Sequence, residues 1–134
     1  MSYLVGYFSM LISFGLVDAC WLRVMGPRLY RPTLGDILLA DVRLGPAVAF
    51  YLMYPVGLLV FAVLPAMKAN SLSMAAGSGL LFGAIAYATY DLTNYATLRN
   101  WSLQLTVADM AYGALASGLA ATISLWAIRA VSNV

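Results

Sequence analysis

The chain contains no histidine and no glutamate, and its only cysteine is Cys20. Without histidine there is no imidazole to ligate haem, no HExxH-type zinc site and no Ser-His-Asp triad. No haem or histidine-based metal site is therefore expected. A lone cysteine excludes an intrachain disulfide and a CxxC redox pair. Acid–base chemistry has to come from five aspartates, the tyrosine hydroxyls, Cys20 or Lys68. With no base other than aspartate nearby, Cys20 reads as a small packing residue rather than a nucleophile.

Charge of either sign is scarce. Only 9% of the 134 residues are charged, 63% are hydrophobic, and the mean hydropathy is +0.89. A soluble domain of this size needs more polar surface, so the composition marks an integral membrane protein. The net charge of +2 is small and no basic run interleaves with aromatics, so no nucleic-acid partner is expected. The opening MSYLVGYF has no basic residue, which argues against a cleavable signal peptide.

What is present is long apolar sequence. Residues 1–17, 44–67, 69–90 and 110–128 carry no formal charge. A helix needs roughly 20 apolar residues to cross the hydrocarbon core. The expected fold is an all-α, four-helix transmembrane bundle forming a single domain over 1–134, with helices at about 3–24, 34–66, 71–97 and 102–130. Period-2 alternation is absent, which removes the closed barrel as the other spanning solution. Thr33 and Asp36 read as N-cap and N3 of the second helix. Gly45-Pro46 and Pro55 read as kinks.

Basic residues near helix ends set the orientation. Arg23, Arg28, Arg31 and Arg43 fall in the first loop and Arg99 in the third, against Lys68 and Arg129 on the opposite side. Loops 1 and 3 are then cytoplasmic and both termini periplasmic. Asp18, Asp41, Asp91 and Asp109 all come to the cytoplasmic end of the bundle.

An internal repeat points the same way. Leu39-Ala40-Asp41-Val42-Arg43-Leu44-Gly45 and Val107-Ala108-Asp109-Met110-Ala111-Tyr112-Gly113 both read apolar-Ala-Asp-x-x-x-Gly. Each follows an earlier aspartate, Asp18 or Asp91. Two parallel-repeat helical hairpins would pair Asp18 with Asp91 and Asp41 with Asp109. Gly79-x3-Gly83, Gly113-x3-Ser117 and Ala114-x3-Gly118 are small-residue ridges, which predict that helices 3 and 4 are the tight pair.

Ionisable groups inside a membrane point to function. The candidate catalytic residues are Asp18, Asp91 and Asp109. The candidate ligand-binding residues are Trp21, Tyr90, Asn94, Arg99 and Thr106. Trp21 is one helical turn from Asp18, and Asn94 one turn from Asp91. Tyr51, Tyr54 and Tyr87 are further possible donors to the acid cluster, whereas Tyr30 and Trp101 read as interfacial aromatics. Such a set can bind or modify a membrane lipid or other amphipathic ligand, hold a hard cation or metal through carboxylate, amide and hydroxyl oxygens, or share a proton between two carboxyls. A proton-coupled small transporter is another use of the same groups. In the rival structural reading, Asp18, Asp91 and Asp109 pair with Arg23, Arg43 and Arg99 and lock the bundle end. The chain would then be a non-catalytic subunit docking another membrane protein or a second copy of itself.

The run Tyr87-Ala88-Thr89-Tyr90-Asp91-Leu92-Thr93-Asn94-Tyr95-Ala96-Thr97-Leu98-Arg99-Asn100-Trp101, followed by Thr106 and Asp109, resembles a group of small bacterial membrane proteins known as domain of unknown function 2177. The Asp18-x2-Trp21-Leu22 and Phe50-Tyr51-x2-Tyr54 segments extend the resemblance over essentially the whole chain. The resemblance implies a bacterial inner-membrane protein of four spans. It makes Asp18, Trp21, Asp91, Asn94, Trp101 and Asp109 the characteristic positions, and it supplies no activity.

Overall fold

A computed structural model describes residues 1–132 of the chain. Four helices are each long and apolar enough to cross a membrane: α1 (Ser2–Ile37), α2 (Leu44–Ala69), α3 (Leu72–Thr97) and α4 (Leu103–Ser132). No strand occurs among the described residues.

The first two helices depart from the expected boundaries. Gly26-Pro27 does not end α1. The backbone passes through a π turn over Gly26–Tyr30, in which the Arg31 N–H reaches back to the Gly26 carbonyl. The wider turn accommodates a proline that an α-helical ladder would clash with. Helix continues through Arg31–Leu34 and tightens to a 3₁₀ turn at Gly35–Ile37, where Gly35 takes φ +58°. Thr33 is therefore inside α1 and caps nothing, and Asp36 belongs to that final turn. α2 begins at Leu44, so Pro46 falls in its first turn, where the missing N–H costs no hydrogen bond, rather than at a kink. The remaining boundaries follow ordinary capping. Ser71 accepts from the Met74 N–H at 3.1 Å, and Ser102 accepts from the Leu105 N–H at 3.0 Å. Asn70 ends α2 in the left-handed conformation, which asparagine tolerates.

Each helix buries a row. On α1 this is Gly6, Met10, Phe14 and Asp18, spaced by four. On α3 it is Ala75, Gly79, Gly83 and then Asp91. Both rows end on an aspartate, which agrees with the repeat for Asp18 and Asp91. The other pair breaks it. Asp109 is 6% exposed on α4, whereas Asp41 is exposed in the non-helical segment before α2 and joins no cluster. A carboxylate at the surface keeps its water, so nothing draws Asp41 inward.

α4 is the hub and packs against both α1 and α3. Its seam with α3 is built from small residues, as the ridges predict. A Cβ on Gly79 would lie 2.7 Å from Ala121 Cβ and 2.8 Å from the Ser117 carbonyl, and one on Gly83 would strike the Gly113 carbonyl. Toward α1, Ser124 Oγ donates to the Gly6 carbonyl at 2.8 Å.

α2 behaves differently. Its first half, Leu44–Leu58, has its main backbone contact with α1 and reaches α3 through the Tyr54 ring and at Gly57, beside Phe82; close backbone packing on α3 begins at Leu59. Pro55 interrupts the ladder, and a π turn over Leu59–Val63 follows it. At the end carrying loops 1 and 3, the α2 backbone therefore stands off from α3.

Candidate functional site

The gap beside the first half of α2 is the upper part of a cavity of about 1030 Å³. Its walls come from all four helices and from the 38–42 segment. Leu34, Leu38, Leu39, Val42 and Phe50 supply an apolar side. Asp18, Asp109 and the aromatic rings around them supply a polar floor.

The carboxylates are held by tyrosines. Tyr112 Oη donates to Asp18 Oδ1 at 2.7 Å, and Tyr51 Oη donates to Asp18 Oδ2. Tyr30 Oη donates to Asp109 Oδ1, and Trp21 Nε1 donates in turn to Tyr30 Oη at 2.7 Å. The two acid centres are joined by stacking: the Trp21 and Tyr112 rings lie 4.4 Å apart and 9° from parallel. Tyr87 meets Tyr112 edge-on at 6.1 Å. Below them, Tyr54 and Ser117 share a hydrogen bond of 2.7 Å, which marks the transition to the packed core. Hydrogen bonds to a charged acceptor each contribute about 1.5–3 kcal/mol, so this network fixes both side chains of the floor.

Asp91 is different from both. It has no exposed surface, and neither carboxyl oxygen meets a donor. The Asp109 carboxyl faces it across the α3–α4 seam. It does not line the cavity; it stands behind a residue that does.

No arginine partners these acids among the described residues. Asp18 and Asp109 are satisfied by phenols, and Arg23, Arg43 and Arg99 are exposed. The expected ion-pair lock at this end is not formed, because the long basic side chains point out of the bundle. Nor do three residues of the His, Cys, Asp and Glu types come together to hold a metal ion among the described residues.

The other candidates divide. Trp21 and Tyr90 line the cavity, with Tyr90 edge-on to Trp101 at 5.4 Å. Asn94 and Arg99 lie outside it, and Thr106 is buried with its hydroxyl turned onto the Ser102 carbonyl at 2.8 Å. Cys20 is exposed on α1 rather than packed. Trp101 is 6% exposed, packed in a small cluster with Leu29, Leu34 and Leu105. Two residues central to the site escaped sequence reasoning. Tyr112 carried a signal, since it lies one turn from Asp109 on α4. Tyr30 carried none, because residues nine apart face opposite sides of a regular helix and only the π turn aims it back toward Trp21.

The residues that form this floor fall within a single family match. Residues 3–126 match the model of a family described as predicted membrane protein (DUF2177). The chain belongs to that family. No curated protein and no solved structure matches it. In this DUF2177 chain the match spans both carboxylates of the cavity floor and all four tyrosine and tryptophan groups that hold and join them.

Proposed function

We propose that this DUF2177 protein binds a lipid or other amphipathic ligand in the cavity among the four helices. The observation that carries the reading is the combination within one hollow of an apolar wall and a hydrogen-bonded acid floor, beside the half of α2 whose backbone packs least on α3. Ligand sites are commonly apolar clefts with a few fixed polar groups, which is the make-up of this one. The positive-inside distribution supports a bacterial inner-membrane protein with periplasmic termini and, on that reading, a cavity at the cytoplasmic end. The floor also offers proton-carrying groups, so a reaction on the bound molecule is compatible with the same geometry. Binding is favoured over a through-path, because the packed layer of Met10, Leu58, Ala62 and Leu125 lies between this cavity and the hollow at the opposite end.

Trp21 provides the test. In a Trp101→Phe, Trp126→Phe protein, Trp21 is the remaining fluorophore, within the cavity wall. Reconstitution into vesicles with brominated acyl chains should quench it strongly if a chain occupies the cavity. Fluorescence equal to that in unbrominated vesicles would overturn the reading.

A further inference from the structure

The cavity is short of positive charge. Asp18 and Asp109 are more than nine-tenths buried, and the lining contains a single cation, the exposed Arg31. Each carboxylate can accept about four hydrogen bonds. Asp18 receives two, from Tyr51 and Tyr112, and Asp109 receives one, from Tyr30. The floor thus has spare acceptor capacity beside a single cation. The rings over the floor add a second, independent preference. Trp21, Tyr87 and Tyr90 line the same cavity, and an aromatic face not covered by a stacking partner attracts cations.

We infer that the ligand's head group is an ammonium, so that the cavity takes an alkylammonium amphiphile. This inference rests on the amphiphile-binding reading above and specifies its chemistry. The ammonium lies against Asp18 and Asp109 beneath the Trp21 and Tyr87 rings, and its hydrocarbon runs along Leu38 and Leu39. Anionic heads are disfavoured by the same carboxylates. Two sources share this chemistry. One is an ethanolamine- or choline-type phospholipid of the bilayer, whose phosphate Arg31 is placed to meet. The other is a lipophilic ammonium ion that carries no phosphate.

The test uses the single-Trp21 protein in neutral maltoside micelles, with a single-Trp126 protein reporting partition into the micelle alone. The probes are dodecyltrimethylammonium, dodecylamine, dodecanol and dodecyl sulfate. The two ammonium probes should perturb Trp21 with an affinity about tenfold or more above that of the alcohol and the sulfate. Asp109→Asn should remove most of that advantage without weakening dodecanol. Should this variant fail to fold, the ranking in the unaltered site still decides. Equal binding of all four probes would overturn the ammonium assignment while leaving the amphiphile cavity intact. Failure of every probe to affect Trp21 beyond the Trp126 control would overturn both. Where ammonium binding is found, competition by phosphatidylethanolamine added to the micelles, lost in Arg31→Gln, identifies the lipid source; indifference to that lipid identifies the free ion.

Discussion

The α3–α4 seam and the first half of α2 solve opposite problems with the same four-helix topology. The seam brings backbones together by leaving side chains out, at Gly79, Gly83, Gly113 and Gly118. In a bilayer there is no water to expel between helices, so close van der Waals contact is the main source of association. The first half of α2 keeps its backbone away from α3 and lets Tyr54, Phe82 and Tyr87 reach across the gap. The seam is therefore intolerant of added atoms, whereas the gap is defined by large rings around a hollow. The difference teaches that the rigid pair is a platform and the looser helix a side wall.

Breaking the platform should have the largest effect. Gly83→Leu would drive a side chain into the Gly113 carbonyl and Ser117, costing about 3 kcal/mol or more. Thermal unfolding in detergent should show a large fall in melting temperature, and an unchanged midpoint would refute the close approach. Gly113→Ala sharpens the comparison because its Cβ meets the Tyr87 ring, a wall of the hollow. A loss of about 2 kcal/mol is expected, accompanied by a shift in Trp21 emission as Tyr87 moves. Stability loss with no emission change would separate the seam from the cavity.

On the cavity side the effects should be smaller. Tyr112→Phe removes a donor to Asp18 and should cost about 1.5 kcal/mol in the same melt. A double-mutant cycle with Tyr51→Phe should show coupling, since both donate to one carboxylate. Pro55→Ala gives α2 a backbone donor and should change stability by no more than about 1 kcal/mol. Its readout is distance: spin labels at Phe50→Cys and Tyr90→Cys, on a Cys20→Ser background, should move closer as α2 straightens. Identical distances would show that Pro55 does not set the gap. Asp91→Asn should have the least effect, leaving the melting temperature unchanged or higher, because the amide brings its own donors to a place that offers none. A marked drop would mean that the carboxyl has a partner it does not show here.

The span count and the seam were legible because they rest on features that act locally: charge-free length and small residues at spacing four. Asp18, Asp91 and Asp109 were legible for a related reason, since a carboxylate inside an apolar run has to be accounted for. What escaped was set by backbone irregularity. The π turn at Gly26–Tyr30 carries α1 past the proline pair, moves the start of α2 to Leu44 and redirects Tyr30. No period in the sequence announces a turn of that width. The partners of the acids were misread for an energetic reason. An exposed arginine gains little by entering the bundle, while a phenol is already amphipathic and brings a donor at low desolvation cost. Asp18 and Asp91 are both buried in helices, whereas Asp41 is exposed and has no counterpart role to Asp109.

The central place of α4 also bears on how the bundle is made. A ribosome delivers helices in order, and the one that completes the contacts of the other three is delivered fourth. Until α4 is in the bilayer, Asp18 lacks Tyr112, the Gly6 carbonyl lacks Ser124, and the glycine face of α3 has nothing to lie against. The first three helices hold one another through fewer contacts, such as Tyr51 on Asp18, and α4 supplies the rest.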